Sequence, residues 1–551
     1  SSLDGTVPKE RVPSVSELHT EAVLRPIADF IVMHPIVMHP RRFSSLFCAA
    51  AVLVLVVGMS ACTTSPEPPR YTDQDVDVVT EWVEHLYGVI RVERISPPAA
   101  ARVLAYSNVA LYESMVHGLP ELQSMQGQVK GLSALPAPDA DAAYDWLTVA
   151  ITAQERVADT LLYEAQESSR IELAALAERH RTERRDNGVS SSVAERSVAY
   201  GTALGDALAK WAMADGYVAT RDSTYDYESW HEGPDDWVPT ATAAQNTALM
   251  VSPATDYVDL GTDADTKRQL DAEMASERML VVNRPDSWLN PHRALEPHWQ
   301  TLRTMVTESS AVCRPKPPVP YSEDPGSPFY EQVKTVYDSA RTATQEQITI
   351  ARFWSDCPGH TGTPPGHWAR IGSQLTDQLD LSMTETVEMF GLLGVAMNEA
   401  FLSAWDTKYD ANLVRPVTFI HEHIDPEWQT WVVTPPFPEY TSAHSVVSAA
   451  SARVLSHLFG DDVPFTDRSM AWLGFDDRTF PSFAAAAKEA ADSRVFGGIH
   501  YPMASYVGLD EGECVAGRVL QHVRTRPALA QQQDDASAEG ETLSDARNHE
   551  Q

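Results

Sequence analysis

The chain has 551 residues, of which 43% are hydrophobic and 22% are charged, as in an ordinary globular protein. Its 77 acidic residues outnumber its 42 Lys and Arg residues, so the formal net charge is −35 at pH 7. This balance excludes a general nucleic-acid binder and a polybasic membrane-surface protein, since both need a basic surface.

Residues 1–61 have the pattern of a secretory leader. A pair of arginines at 41–42 precedes an apolar run over 47–57, which is too short for a transmembrane helix. The sequence Met-Ser-Ala-Cys62 follows and resembles a bacterial lipobox, which predicts cleavage before Cys62 and lipidation of its thiol. A plain secretory signal with a chance Cys is the alternative. Residues before Met38 do not fit a signal peptide, and one interpretation is that they are not native.

Residues 62–72 are a predicted Pro-containing tether, and residues 73–330 are a predicted N-terminal helical region with long loops. Ser96 followed by two prolines predicts a capped helix start that leads into Ala99–Met115. Further helical patterns in this region span 143–163, 165–185 and 190–214, and residues 216–330 have the Pro, Gly and Asp content of loops.

Residues 331–525 are a predicted C-terminal helical bundle. Its helical patterns span 329–353, 376–405, 445–459, 482–493 and 505–524. No stretch shows convincing strand alternation, so the predicted class is mainly α. The polar and acidic residues 526–551 are a predicted disordered tail.

The cysteines are expected to form one disulfide and leave one free thiol. Cys313, Cys357 and Cys514 remain beyond the leader and the lipobox Cys. An exported protein meets an oxidising setting, and a Cys313–Cys357 bond is the preferred pairing. No Cys or His spacing typical of a zinc site is present.

Three segments carry cations, a hydroxyl and imidazoles in a fixed order. The first holds Lys408 and Arg415, the second holds Ser442–His444, and the third holds Arg494 and His500. Guanidinium groups bind the oxygens of a tetrahedral oxyanion in pairs, and a helix start after Ser442 would add backbone N–H groups. One His can attack or coordinate the central atom while the other handles protons. Each segment alone is weak evidence, but together they predict an oxyanion site.

This order resembles the signature shared by vanadium-dependent haloperoxidases and type-2 phosphatidic acid phosphatases: Lys-x6-Arg-Pro, then Ser-Gly-His, then Ser-Arg-x5-His. Ala443 stands in place of the usual Gly, and Thr441 in place of the usual Pro. The resemblance covers roughly residues 73–525 and is strongest over 345–520. It implies two packed helical bundles of the haloperoxidase and acid phosphatase type, with the pocket at one end of the C-terminal bundle, and a vanadate cofactor.

The resemblance also implies a role for each site residue. His500 would bond to vanadium through a ring nitrogen, and His444 would be the acid–base. The vanadate oxygens would be held by Lys408, Arg415, Ser442, the backbone N–H of Ala443, and Arg494. Trp405 and Phe437 match aromatic positions on the halide side of the pocket. Asp356 matches the Asp that pairs with the third-segment Arg.

One position departs from the phosphatase pattern. That pattern usually has an Asp or Glu four residues after the last His, and this chain has Ala504 there. A nucleophilic His needs an acceptor on its other nitrogen, and Asp510 and Glu511 lie too far along to replace it well. A backbone carbonyl is the open alternative. The departure favours a peroxidase over a phosphatase. His360 and His367 are interpreted as parts of structural turns, with a place at the pocket rim as the alternative.

The resulting hypothesis is an exported bacterial lipoprotein of the cell envelope that oxidises a halide, iodide or bromide first, with hydrogen peroxide. Its expected small-molecule partners are the peroxide and the halide. It would contact a membrane only through the lipid anchor, and a homodimer is one of the oligomeric states considered. An acid phosphatase with a phospho-histidine intermediate is the alternative on the same scaffold, and an inactive oxyanion-binding lipoprotein is the second. The acidic surface suits a saline exterior, although a low-salt setting is also compatible with it.

Overall fold

The computed structural model describes residues 71–221, 223, 233–240 and 294–527. The predicted leader, the lipidation candidate Cys62 and nearly all of the tether lie outside the described residues, as do residues 528–551. Arg526, predicted as the first residue of the tail, is described, and its guanidinium pairs with the buried carboxylate of Glu388 at 2.5 Å. The folded part therefore extends past residue 525.

The described residues are mainly helical, as predicted. The helices in chain order are α1 (Asp73–Val92), α2 (Pro97–Met115), α3 (Trp146–Leu161), α4 (Glu167–Asp186), α5 (Ser191–Met213), α6 (Tyr217–Thr220), α7 (Pro328–Thr342), α8 (Gln345–Phe353), α9 (Thr363–Gln378), α10 (Met383–Ala411), α11 (Pro416–His423), α12 (Ala443–Phe459), α13 (Phe483–Phe496) and α14 (Pro502–His522). Short 3₁₀ helices lie at Trp299–Thr301, Ser310–Cys313 and Ala471–Leu473.

Two short strands, β1 (Phe465–Asp467) and β2 (Arg478–Phe480), pair antiparallel with Phe465 opposite Phe480. The sequence did not predict them. Each has three residues, which is too short for an alternating pattern to stand out.

Two predicted helices are wrong in their extent because capping residues divide them. Thr344 caps α8 through a capping box and separates it from α7, where one helix over 329–353 was predicted. Ser382 caps α10 in the same way, so the predicted helix over 376–405 is the end of α9 and most of α10. In contrast, α2 begins as predicted, with Ser96 at the cap position and proline in its first turn. Ser and Thr stop one helix and start the next because their side chains accept backbone N–H bonds.

The packing of α2 against α10 forms the centre of the molecule. A Cβ added at Gly394 would lie 3.0 Å from the Cα of Ala105, so the glycine lets the two helices approach closely. Among the described residues, one hydrophobic core contains side chains from both predicted domains. Among the described helices, α10 is long and apolar enough to cross a membrane, but its apolar stretch is entirely buried within the protein. It is therefore a core helix here.

The disulfide joins Cys313 to Cys514, with 5.8 Å between the two Cα atoms, so the predicted Cys313–Cys357 pairing is wrong. Cys357 is the free thiol, and burial raises its pKa to about 11. The bonded residues are 201 positions apart in sequence. Only the packing of α14 against the Ser310–Cys313 turn brings them together, and spacing alone cannot reveal this.

Candidate active site

The end of α10 and the start of α11 supply the first two cations. Lys408 lies in the last turn of α10, and Asn412, with a φ of +42°, ends that helix in a left-handed conformation. The chain then runs extended, and the Leu413 carbonyl accepts from the backbone N–H of Glu439 at 3.0 Å. Arg415 follows at the cap position of α11, where proline occupies the first turn. The Lys-x6-Arg-Pro pattern is thus a helix end, a short extended link and a helix start.

Lys408 is buried among carbonyl oxygens. Its Nζ donates to the carbonyls of Pro438 at 3.1 Å, Glu439 at 3.0 Å and Thr441 at 2.5 Å. Burial holds its pKa well below the ordinary value, and the neighbouring Arg415 lowers it further. The ammonium group is therefore fixed in place without a full counter-charge.

Arg415 is fully buried and has spare donor capacity. Its Nε donates to the Phe437 carbonyl and its Nη1 to the Ile499 carbonyl, both at 2.9 Å. Nη1 also lies 3.1 Å from Nε2 of His500, while Nη2 has no hydrogen-bond partner in the described part of the chain. Burial lowers the pKa of Arg415 to about 10, so it remains a cation at neutral pH.

His500 is held between Arg415 and Glu439. Because a guanidinium only donates, Nε2 of His500 must accept from Arg415, and Nδ1 must carry the proton. Nδ1 donates to Oε1 of Glu439 at 2.9 Å, and the same oxygen accepts from the backbone N–H of Tyr501 at 2.8 Å. Burial lowers the pKa of His500 well below its usual range, and the nearby cations add to this. The ring is therefore neutral, with its Nε2 lone pair facing the cations.

The expectation that His500 lacks a carboxylate partner, drawn from Ala504, is wrong. Glu439 provides the carboxylate from 61 positions upstream. Burial raises the pKa of Glu439 to about 7, against the opposing effects of Arg415 and Lys408. The available signal was the position of Glu439 in the second segment, three residues before Ser442.

The second segment starts α12. Ser442 is the cap residue, and its Oγ accepts from the backbone N–H of Ser445 at 3.4 Å. Ala443 and His444 lie in the first turn, where backbone N–H groups have no acceptor within the helix. Burial and Arg494 hold the pKa of His444 well below its usual range, although a bond to the backbone of Ser355 raises it. A hydroxyl, two N–H groups and a neutral imidazole therefore converge at one helix start.

Arg494 lies in the last turn of α13 and connects to His444. Its Nη1 is 3.3 Å from Nε2 of His444, and its Nη2 donates to the Trp354 carbonyl at 2.5 Å. Gly498, with a φ of +82°, turns the chain toward His500, and a Cβ there would lie 3.0 Å from the Trp428 ring. The structure places Arg415 against His500 and Arg494 against His444, and Lys408, Arg494 and His444 all lie close enough to His500 to lower its pKa.

Two aromatic rings form one wall of the cation cluster. The Trp405 and Phe437 ring centroids are 5.0 Å apart. The Phe437 centroid lies 4.9 Å from Nζ of Lys408 and 5.0 Å from Cζ of Arg415. The indole N–H of Trp405 donates to the Leu295 carbonyl at 3.2 Å, so Trp405 presents only its ring.

Asp356 lies behind the site and is buried. Its carboxylate is bonded to Nδ1 of His367 at 2.9 Å, and the predicted pairing of Asp356 with Arg494 stays a prediction. His367 itself belongs to helix α9 rather than to a turn. Glu511, on α14, accepts from the hydroxyls of Ser403 and Thr441, which buttresses the segment whose carbonyls hold Lys408.

The site gathers buried positive charge that an anion would balance. Lys408, Arg415 and Arg494 have 0%, 0% and 1% of their surfaces exposed. The pKa values of Lys408, Arg415, His444 and His500 all shift downward, as expected where positive charge is buried in excess. The unpartnered Nη2 of Arg415 adds an open donor. This donor set fits a tetrahedral oxyanion such as vanadate or phosphate, and the unprotonated Nε2 of His500 can be a ligand.

The solved structure of the first bacterial vanadium-dependent iodoperoxidase is 31% identical to this chain, with a TM-score of 0.68. The match covers 84% of this chain and 98% of that one. The chain belongs to the vanadium-dependent haloperoxidase family. Two structures of a bacterial vanadium-dependent chloroperoxidase, apo and holo, are 14% and 15% identical with TM-scores of 0.52. They cover 78% of this chain and 95% and 94% of their own, and they show the shared fold.

The family model for the VCPO second helical-bundle domain matches residues 388–527, which include the whole vanadium-dependent haloperoxidase signature from Lys408 to His500. No protein with a curated functional description matches. Membership of the haloperoxidase family and the mainly helical fold are confirmed, and the family implies vanadate as the cofactor. The cation cluster is where this chain has the groups to hold it.

Proposed function

We propose that this protein is a vanadate-dependent peroxidase that uses hydrogen peroxide to oxidise a halide, iodide first, to hypohalous acid. The observation that carries the proposal is the buried cluster of Lys408, Arg415 and Arg494 around a neutral His500 whose Nε2 faces the cations. An anion must balance such a cluster, and His500 can bind its central atom.

The side chains divide the work of holding vanadate. Lys408, Arg415 and Arg494 would balance its charge and donate to its oxygens, and Ser442 with the N–H of Ala443 would complete the donor set. Nε2 of His500 would be the ligand atom, kept free of its proton because Nδ1 donates to Glu439. When bound, vanadate supplies a Lewis-acidic centre that activates hydrogen peroxide without a change in valence.

His444 is the candidate proton carrier. Its Nε2 carries no proton because Arg494 can only donate to it, and its lowered pKa keeps the ring neutral at physiological pH. A neutral imidazole can take a proton from hydrogen peroxide and return it to the hydroxide released when the O–O bond breaks, and a proton from water completes the hypohalous acid. His444 is partly exposed, whereas the three cations and His500 are buried, so solvent-borne peroxide would reach it more readily than the other site residues.

Two observations support iodide. The structural relative at 31% identity is named an iodoperoxidase. The pocket wall at Trp405 and Phe437 offers polarisable ring faces beside two cations and no indole N–H, which is engaged by Leu295. A large, weakly hydrated halide suits such a wall better than a small one that needs hydrogen-bond donors. Iodide is also the halide that is easiest to oxidise, and bromide comes next.

The test uses purified, vanadate-free protein supplied with increasing orthovanadate, hydrogen peroxide, and iodide, bromide or chloride in parallel. We expect no oxidation without vanadate and saturable iodide oxidation with it. His500→Ala should abolish the vanadate response, and His444→Ala should keep vanadate binding but lose turnover. Absence of halide oxidation, with robust hydrolysis of phosphate monoesters, would overturn the proposal.

A phosphatase is the second candidate, and one observation favours it. Glu439 gives His500 the carboxylate that a nucleophilic His needs for a phospho-histidine intermediate. Phosphate and vanadate have the same shape, so the cation cluster suits either. The two activities are separated by assaying p-nitrophenyl phosphate hydrolysis without vanadate, and then asking whether orthovanadate inhibits it while starting halide oxidation. If neither activity is found but the oxyanions bind, the inactive binding lipoprotein is the remaining candidate.

We also propose that the protein is exported and carries a lipid on Cys62. The support is the leader pattern in the sequence, together with a disulfide between Cys313 and Cys514, which suits an oxidising compartment. Mass spectrometry of the membrane-associated protein should find a diacylglyceryl-modified Cys62 at the N-terminus. A Cys62→Ser chain released into the soluble fraction would agree, whereas an unmodified, uncleaved chain would contradict it.

A further inference from the structure

A short turn after α8, residues 353–357, holds two of the site residues by its backbone. The carbonyl of Trp354 accepts from Nη2 of Arg494 at 2.5 Å, and the backbone of Ser355 is hydrogen-bonded to His444. Arg494 and His444 also touch each other at 3.3 Å. The position of this turn therefore sets where the Arg494 guanidinium and the His444 ring point. We call residues 353–357 the Trp354 turn.

His367 ties the Trp354 turn to the rest of the protein. Its Nδ1 lies 2.9 Å from a carboxylate oxygen of Asp356, within the turn, and its Nε2 lies 2.8 Å from Asp467 at the end of β1. The ring stacks on the indole of Trp354, with centroids 4.5 Å apart and planes at 16°. His367 thus contacts the turn in two ways, by a hydrogen bond to the Asp356 carboxylate and by stacking on the Trp354 ring.

The three side chains form a charged cluster in the interior. His367, Asp356 and Asp467 have 1%, 2% and 0% of their surfaces exposed. Burial lowers the pKa of His367, but the two carboxylates outweigh it and raise the pKa to about 10. Both ring nitrogens therefore carry protons and donate, so the ring is a cation that bridges two carboxylates.

A buried charged bridge between a helix and a strand costs free energy, because its charges must be removed from water. Apolar side chains of the same volume often give equal or greater stability. An imidazolium with two hydrogen bonds fixes the orientation of its ring and of both carboxylates, because each N–H must point at its carboxylate. The backbone carbonyl that orients Arg494 belongs to the residue whose ring His367 covers. An oxyanion site needs supporting residues that orient the groups binding the anion.

We propose that His367 is a positioning residue: by bridging Asp356 and Asp467 it fixes the Trp354 turn, whose backbone aims Arg494 and His444 at the oxyanion. The inference rests on the proposed function only in taking this pocket as the oxyanion site. It does not require halide oxidation.

The test measures oxyanion binding directly, without peroxide or halide. Orthovanadate and inorganic phosphate are titrated calorimetrically into vanadate-free parent protein and into His367→Gln and Asp467→Asn. Loss of a partner behind a site residue typically weakens binding by about tenfold or more, and we expect that for both variants. Asp467→Asn guards against misfolding of His367→Gln, since it keeps the imidazole and the side-chain volume.

The matched control is another buried ion pair, Arg102 and Asp215, which joins α2 to the segment after α5 with 2.6 Å between Arg102 Nε and Asp215 Oδ2. Arg102→Gln should lower the melting temperature much as Asp467→Asn does, while the oxyanion affinity of the folded protein stays unchanged. A general loss of stability would instead affect both variants alike.

A double-mutant cycle with Arg494→Lys decides whether the effect passes through Arg494. If it does, Asp467→Asn added to Arg494→Lys should cost much less affinity than it costs alone. The proposal is overturned if Asp467→Asn and His367→Gln both bind orthovanadate and phosphate within about twofold of the parent, the accuracy with which independent sites add. It also fails if the loss of affinity in the double variant equals the product of the losses in Asp467→Asn and Arg494→Lys, since the two residues would then act independently. Parent protein that binds the oxyanions but oxidises no halide would contradict the proposed function and leave this inference standing.

Discussion

Oε1 of Glu439 lies 2.9 Å from Nδ1 of His500, and this bond decides which nitrogen of the ring is free. Glu439 accepts at the same time from the backbone N–H of Tyr501, so the carboxylate cannot turn away from the imidazole. The proton is held on Nδ1, and Nε2 faces Arg415 as an acceptor. A vanadium ligand and a phosphate nucleophile need the same thing from this His, which is why one pocket serves both candidate functions.

Glu439→Gln should weaken orthovanadate binding by about tenfold or more, the usual cost of losing the partner behind a metal-ligating His. The amide can still accept from Nδ1, but it lacks the charge that makes Nε2 a strong ligand. Affinity is measured by calorimetry on vanadate-free protein. Glu399→Gln is the control, because Glu399 is equally buried on α10 but accepts from Thr307 instead of a site residue. An unchanged affinity of Glu439→Gln for orthovanadate would show that the Glu439–His500 bond has only a structural role.

Oxyanions should stabilise the protein, because the cation cluster is buried without a full counter-charge. A ligand at 100 times its Kd adds about 2.7 kcal/mol, which predicts a rise of a few degrees in the melting temperature with phosphate or vanadate. The lowered pKa of Lys408 means that its charge opposes folding while the pocket holds no anion. Lys408→Met should therefore reduce the rise in melting temperature that anions cause.

The control for this experiment is Lys334→Met, since Lys334 is half exposed on α7 and pairs with Asp338 of the same helix. It should alter neither melting temperature nor the response to anions by a measurable amount, as is usual for exposed pairs. A response to phosphate that survives intact in Lys408→Met would mean that the anions bind elsewhere.

The groups that we propose to hold the oxyanion come from the sequence pattern alone. Lys408 and Arg415, Ser442–His444, and Arg494 with His500 are each set by local structure: a helix end, a helix cap and a glycine turn. Their order along the chain is a strong signal because three independent segments must agree.

The groups behind them could not be predicted because they are joined only by tertiary packing. Glu439 meets His500 across 61 positions, and His367 meets Asp467 across 100. The Cys313–Cys514 bond spans 201. No periodicity or spacing rule links residues at such distances, and Ala504 led to the wrong expectation about His500 although Glu439 lies within the second segment.

Breaking the Cys313–Cys514 disulfide should destabilise the protein by about 2–5 kcal/mol, as for other native disulfides. The bond closes a long loop and fixes the Ser310–Cys313 turn to α14. Urea unfolding of parent and Cys313→Ser/Cys514→Ser protein measures the change. Cys357→Ser is the control and should cost much less, since that thiol bonds no other cysteine. Its raised pKa also predicts slow alkylation of Cys357 until the protein unfolds.

The stability of the protein should depend on pH through His367. Its folded-state pKa is raised from 6.5 to about 10, so its contribution is fully present below pH 6.5 and is lost as the pH rises toward 10. The melting temperature of the parent should therefore fall relative to that of His367→Gln between these values. Taking the difference between the two proteins cancels the titration of all other groups. A constant difference across this range would show that His367 is not charged in the folded protein.

Phe437→Leu should raise the KM for iodide while leaving orthovanadate affinity nearly unchanged. The ring lies beside Lys408 and Arg415 and packs against Trp405 in the proposed halide wall, and leucine lacks its polarisable ring face. Leucine keeps most of the volume, and the Phe437 carbonyl still accepts from Arg415. The control is Phe465→Leu, a buried ring in the β1–β2 pair. If Phe437→Leu weakens vanadate binding as much as it raises the iodide KM, the ring supports the cations generally and has no separate part in the halide step.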